Sequence, residues 1–198
     1  MQNNTTNTPV HRRDGISRRA LLAVAGAGIA GSVAAAGMAR AAYAPSDQNL
    51  SFTCRSSGKD VVVTASWTWA DDNSGEPPED VAIIYWEDAG LEYEEYQTTD
   101  GIQSESSHGG DGVRGREFRH DDTLASEGTE YAASVRLRPS TEDPTVYLDY
   151  THTYGDTEIR EVNVGRDGDG QPTSEVRTSD DEKKWEKTRQ LTTSECGH

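Results

Sequence analysis

Two histidines and three aspartates, His108, Asp111, His120, Asp121 and Asp122, fall close together in the chain. Imidazole and carboxylate together suit zinc or copper. Their spacing fits no ligand pattern, so they read as a solvated polar loop beside an acidic strand end, and no metal site is assigned. Asp167-Gly168-Asp169-Gly170-Gln171 begins like a calcium loop. Pro172 stands where the tight-turn glycine belongs and no glutamate closes the loop, so a flexible acidic linker is the better reading. Carboxylates are so frequent that no pair stands out as acid and base. There is no Gly-x-Ser-x-Gly, paired-histidine helix motif, phosphate-cradling glycine loop or CxxC. No catalytic residue and no cofactor is therefore expected. Trp67, Trp69, Trp86 and the tyrosines could form a sugar-binding platform, but alternation within strands assigns most of them to a core. Trp69 and Trp86 are the two expected to be partly exposed.

The elements that must position these residues have a period of two. In Val61–Trp69 the residues Val61, Val63, Ala65, Trp67 and Trp69 share one face, and Val62, Thr64, Ser66 and Thr68 the other. Valine, threonine and tryptophan suit a pleated, half-buried surface, so this is a strand, with Trp67 burying more area than its neighbours. Leu50–Cys54 reads as a short first strand. Val81–Trp86 is apolar on both faces and hence central in a sheet. Asp88-Ala89-Gly90 reads as a hairpin link into Leu91–Tyr96, whose glutamates suit an edge. Thr98 to Gly112 is irregular, and Val113–Arg119 is a modest strand. Tyr131, Ala133, Val135 and Leu137 line one face of the next strand; Val146, Leu148, Tyr150 and His152 line one face of the strand after it. Gly155-Asp156 can close a hairpin into Thr157–Val164.

Residues 50–164 therefore form one β-domain. The remainder, 165–198, reads as an acidic flexible tail. Ser179-Asp180-Asp181-Glu182 matches a capping box before a short helix, 180–191, whose one large apolar residue, Trp185, either docks on the domain or leaves the tail disordered.

The 198 residues carry a formal charge of −16. The first 41 hold five arginines and one acid; without them 14 basic and 34 acidic residues remain, a charge of −20. Such a chain repels nucleic acid and anionic membrane surfaces. Acid excess with four lysines against fifteen arginines resembles proteins of extreme halophiles, haloarchaea above all, whose surfaces work where salt screens self-repulsion.

Ser17-Arg18-Arg19-Ala20-Leu21-Leu22 resembles the twin-arginine export consensus. The uncharged run Ala20–Ala39 behind it is only weakly hydrophobic for its length, which suits a signal better than an anchor. Ala39-Arg40-Ala41 is a small-x-small cleavage site, so residues 1–41 read as a signal peptide and 42–49 as a linker. Ala42-Tyr43-Ala44 is an alternative site that Pro45 would obstruct; an uncleaved N-terminal anchor is the alternative fate. Once cleaved, the protein has no stable membrane span and is secreted or held at the cell surface. There, outside the reducing cytoplasm, Cys54 and Cys196 are expected to pair, against an intermolecular bridge or two free thiols. Asn49-Leu50-Ser51 is an N-glycosylation triplet.

The strand run suggests an antiparallel, all-β sandwich of seven or eight strands. Val63–Trp67, a polar loop and Ile83-Ile84-Tyr85 resemble the second and third strands of a fibronectin type III domain, within the immunoglobulin-like architecture. Leu124 followed by Gly128-Thr129-Glu130-Tyr131 to Val135 resembles that family's leucine, its tyrosine corner and its sixth strand. The resemblance covers about residues 50–155 and implies core roles for Trp67, Ile83, Tyr85, Leu124, Tyr131 and Val135. The spare hairpin to Val164 would add a strand. Such folds serve many functions. The expectation is a non-catalytic interaction module binding an unknown protein or glycan. The alternatives are a structural subunit of an envelope or appendage, and a metal protein or enzyme using the His108 and His120 loops.

Overall fold

A computed structural model describes residues 45–70, 79–105, 109–121 and 128–197. The export residues Ser17, Arg18, Arg19, Leu21 and Leu22, the cleavage positions Ala39 and Ala41, and Leu124, His108 and Asp122 lie outside them. The described residues contain twelve strands. They are β1 (Gln48–Ser57), β2 (Asp60–Trp69), β3 (Glu79–Glu87), β4 (Leu91–Thr98), β5 (Ile102–Glu105), β6 (Gly109–Gly110), β7 (Val113–Asp121), β8 (Tyr131–Pro139), β9 (Thr145–Thr153), β10 (Ile159–Arg166), β11 (Pro172–Thr178) and β12 (Lys184–Thr192).

The fold is an antiparallel sandwich. One sheet, A, has the order β1-β2-β8-β4; the other, B, has β12-β9-β3-β7-β5, with β6 beside β7. Its first hairpin is tight: Ser57 pairs with Asp60, and Gly58 takes φ +69°, which the turn requires and a glycine supplies without strain. The orders β1-β2-β8-β4 and β12-β9-β3 are compatible with the two sheets of an immunoglobulin-like sandwich, whose sixth strand shares a sheet with the third. The strand of Tyr131 does not occupy that sixth place. It hydrogen-bonds to β2, Trp67 opposite Tyr131, and β9 lies beside β3 instead. The Gly-Thr-x-Tyr match thus misassigned β8, because a four-residue motif carries no information about which strand its own will pair with.

Period-two burial fills the space between the sheets. Val63, Ala65, Trp67, Ala133, Val135 and Leu137 of sheet A meet Ala82, Ile84, Trp86, Phe118, Leu148 and Tyr150 of sheet B. Trp67 is 1% exposed, and Trp69 and Trp86 are equally sealed, so none is a partly exposed platform residue. Ile83 and Tyr85 are buried, but on the opposite face of β3. They join Val81, Val113, Val162, Val164 and Val176 in a second cluster under the β10–β11 hairpin. That explains why β3 is apolar on both faces.

Three connections differ from the sequence reading. The Asp88–Gly90 link crosses between sheets, since β4 pairs with β8 and not β3. The segment after Gly155 leaves sheet B and pairs with β11, not β9. Residues 165–197 are no flexible tail and hold no helix over 180–191. Asp180 caps one 3₁₀ turn, Asp181–Lys183, and Lys184–Thr192 continues as β12 along β9. One tryptophan cannot bury a helix face, whereas an edge strand satisfies its backbone on β9 and needs to bury little else. The hairpin reaches β7 only because residue 115 is glycine. A Cβ there would stand 2.9 Å from Val164 Cγ1 and 3.1 Å from Tyr85 Cβ.

Cys54 and Cys196 form a disulfide with a Cα–Cα distance of 4.8 Å. Ser56 N donates to Gly197 O at 2.9 Å beside it. No helix among the described residues is long and apolar enough to cross a membrane.

Candidate functional site

Sheet B carries one polar row on its inner face. Ile102 of β5 pairs with His120 of β7, His120 with Asp80 of β3, and His152 of β9 with Trp185 of β12. His152 Nδ1 closes the middle of the row onto Asp80 at 2.8 Å. The row's three polar members sit at strand positions whose neighbours two residues along are core: Ala82 and Ile84 follow Asp80, Phe118 precedes His120, and Leu148 and Tyr150 precede His152. Local alternation therefore drives these polar groups inward.

Asp80 is fully buried and receives three donors. Tyr150 Oη donates to Oδ2 at 2.7 Å; Thr153 N and His152 Nδ1 donate to Oδ1 at 3.2 and 2.8 Å. Satisfying a buried carboxylate this fully is what makes its burial tolerable. Rings enclose the pair. Trp69 and Trp185 each lie 4.9 Å from the His152 imidazole by ring centroids, and Trp67 lies 5.4 Å from Tyr150. His120 is 1% exposed and packs between Trp67, at 6.0 Å, and Tyr131, at 3.9 Å. Its ring nitrogens have no hydrogen-bond partner among the described residues. Burial pushes its pKa below the usual histidine range, against the opposing pull of Asp80 and Asp121.

An aspartate holding a histidine is the orienting half of a hydrolytic triad. Such a triad also needs a nucleophile in reach and a place for substrate. Here the His152 and Asp80 side chains are 2% and 0% exposed, packed in the core under Trp69 and Trp185. The arrangement orients side chains and cements the two sheets; it does not open to a substrate.

Of the five residues singled out for metal chemistry, His108 and Asp122 lie outside the described residues, and Asp111 and His120 are not brought together. Asp111 sits in the turn before β7, with φ +53°, and His120 near the far end of that strand, nine residues and roughly 30 Å of extended chain away. Asp121 follows His120 on the opposite face of β7. Among the described residues no group of three or more ligating side chains could hold a metal. The Asp167 loop is ordered as the turn of the β10–β11 hairpin. Asp167 Oδ1 accepts from Asp169 N at 2.9 Å and Gln171 N at 2.8 Å, so this carboxylate closes its own turn.

Two further polar groups serve the second cluster. Asp149 Oδ2 accepts from Tyr85 Oη at 3.0 Å and from Ser174 Oγ at 2.5 Å, pinning β11 to the sheet. Burial, with Asp149 alongside, pushes the Tyr85 hydroxyl well above the usual tyrosine range. Buried Glu117 pairs with Arg119, which also reaches Glu79 at 3.1 Å. A shallow cavity of about 380 Å³ lies at the β6–β7 turn, lined by Asp88 and residues 109–114. Its one cation, Arg114, is spent on Asp88 at 2.7 Å.

Sequence reasoning found His120 but gave it to a loop, and placed His152 on an apolar face without a role. It missed Asp80 by starting the strand at Val81. The available signal was parity: Asp80 shares a face with Ala82, Ile84 and Trp86, and an acid there must find partners. No family model matches the chain, and no curated protein is significantly similar to it.

Proposed function

We propose that the protein is an exported, non-catalytic binding module, secreted or held at the cell surface, that recognises a protein or a glycan. The observation that carries this reading is the Cys54–Cys196 bridge, which belongs to an oxidising compartment and not to a reducing cytoplasm. It agrees with the twin-arginine-like segment Ser17–Leu22 and the small-x-small site Ala39-Arg40-Ala41. The charge of −20 after residue 41 fits a surface working in high salt, as in haloarchaeal proteins, and disfavours nucleic acid as a partner. The order of β1-β2-β8-β4 against β12-β9-β3 supports an immunoglobulin-like or fibronectin type III-like relationship, with β5–β7 and the β10–β11 hairpin as additions. The non-catalytic reading draws on Asp80 and His152, whose functional groups are consumed inside the core.

A structural subunit assembling through sheet edges could use β4, one of the two edges of sheet A. The bulge between Tyr93 and Glu95 and the exposed Glu92, Glu94 and Glu95 oppose that use. Changing Arg18-Arg19 to Lys-Lys strands the precursor inside the cell; unchanged secretion of that variant sinks the export reading. Pull-down from the native cell surface in high salt then recovers a defined protein or glycan. A stoichiometric metal in the purified protein would overturn the non-catalytic reading in favour of a metal protein.

A further inference from the structure

The outer faces of the two sheets are treated differently. The β10–β11 hairpin covers part of that on sheet B. On sheet A, β1 and β2 turn Asn49, Ser51, Thr53, Thr64, Ser66 and Thr68 outward; these six are uncharged, and the first charge along this row of β1 is the exposed Arg55. Asn49, Ser51 and Thr53 are exposed.

Asn49-Leu50-Ser51 lies at the start of this face. Residues i and i+2 of a strand share a face, so the Asn49 carboxamide and the Ser51 hydroxyl both stand in solvent while Leu50, 8% exposed, points into the core. β1 is one edge of sheet A: Asn49 pairs with Thr68 on one side, and no strand pairs with it on the other among the described residues. A protein that crosses the membrane already folded offers an acceptor triplet only if the fold exposes it, and this one is exposed. Asn3 and Asn4 also head such triplets, but within the segment read as a cleaved signal.

We infer that Asn49 is an N-glycosylation site of the folded protein, with Ser51 as the hydroxyl residue of its triplet. The inference rests on the exported reading, because the sugar donor acts outside the cytoplasm. That donor is an oligosaccharide linked through phosphate to a lipid. Asn49 Nδ2 bonds to C1 of the first sugar, the C1–O bond to phosphate breaks, and the phosphate leaves with the amide proton; nothing is oxidised or reduced. The donor is an anion, and an approach over the uncharged residues around Asn49, with Arg55 the first charge along the row, avoids the repulsion that a charge of −20 sets up elsewhere.

The test is the intact mass and peptide map of the protein from the full-length gene, expressed in its native host and recovered outside the cell. The expected result is a mass above that of the cleaved chain, with the excess on the peptide containing Asn49. Asn49→Gln and Ser51→Ala abolish the excess, and Ser51→Thr keeps it. An exported protein with bare Asn49 overturns the glycosylation and leaves the exported reading standing. A protein retained in the cytoplasm overturns both.

Discussion

The two lateral sides of the sandwich are closed by different physics. On the β12 side the closure is covalent and polar. Cys54 is bonded to Cys196, Ser56 N to Gly197 O at 2.9 Å, and Lys187 Nζ to Gln48 O at 2.7 Å. The histidine nearest this side, His152, is held by Asp80 and roofed by Trp69 and Trp185. On the β5 side the closure is aromatic and cationic. Arg116 lies 4.1 Å over the Tyr96 ring and 5.5 Å over Tyr93, with its Nε donating to Ser104 Oγ at 2.8 Å. The histidine nearest that side, His120, has rings for neighbours and no hydrogen bond to its ring nitrogens among the described residues. The difference follows from the chain's course. β12 is the last of the described strands, and the bridge just beyond it holds both the strand and the seam. The β5 side is built from strands in mid-chain, already anchored at both ends.

Trp67 sits between the two sides and sets the scale for either. Trp67→Ala removes one of the two largest sealed side chains of the core and costs about 3–5 kcal/mol. Both sides loosen together, so denaturation followed by a probe on each coincides at a lowered midpoint. An unchanged midpoint would contradict its burial. Opening the β12 side alone is the sharper cut. Changing Cys54 and Cys196 together to Ser costs about 2–5 kcal/mol, since the bridge closes a loop with a sequence separation of 142. Hydrogen exchange should then speed in β12 and β1 before it speeds in β5 and β7. A uniform change would show that the bridge stabilises the whole and not its side.

The legible part of this fold was the part written in alternation. Val61–Trp69, Tyr131–Leu137 and Val146–His152 each announce a strand and its buried face, and each face is the one buried. The Cys54–Cys196 pair followed from counting two thiols. What alternation does not carry is partnership. Nothing local distinguishes β4 returning to β3 from β4 crossing to β8, or β10 pairing with β9 from β10 pairing with β11. Lys184–Thr192 looked helical because charged residues with one tryptophan have no strand signature; β9 imposes the strand by offering an edge. The polar row stayed hidden for the same reason. Asp80, His120 and His152 are far apart in sequence, and only the neighbouring of β7, β3 and β9 sets them side by side.

His120 gives the β5 side a pH dependence. Burial holds His120 neutral, with a folded pKa below the unfolded value of about 6.5. Below that pH the unfolded chain binds the proton more readily, so stability is full above about pH 6.5 and falls as pH falls toward the folded value. Denaturant midpoints at pH 7.5 and 5.5 should differ in that direction. His120→Phe, which keeps a ring between Trp67 and Tyr131, should reduce the difference. Equal pH dependence in the variant would assign the effect to other groups.

Arg116 should give the smallest effect, and it tests whether the β5 side depends on its cation at all. The guanidinium is half-buried, so its attraction to the Tyr93 and Tyr96 faces is worth about 0.5–1 kcal/mol. Its aliphatic stem also covers apolar surface, which Arg116→Ala would remove together with the charge. Arg116→Met keeps most of the stem and removes the cation, and Arg116→Lys keeps a cation but loses the flat group that stacks. If stacking closes this side, Met and Lys both lower the midpoint slightly, Ala lowers it further, and hydrogen exchange speeds in β4 and β5 while β1 and β12 keep their protection. If Met matches the parent, the stem alone closes the seam and the contrast between a covalent side and a cationic side fails. Tyr96, 42% exposed, supplies the second readout. Its fluorescence and its accessibility to modification should rise in the Ala variant and stay unchanged when Cys54 and Cys196 are replaced, because the two sides then open independently.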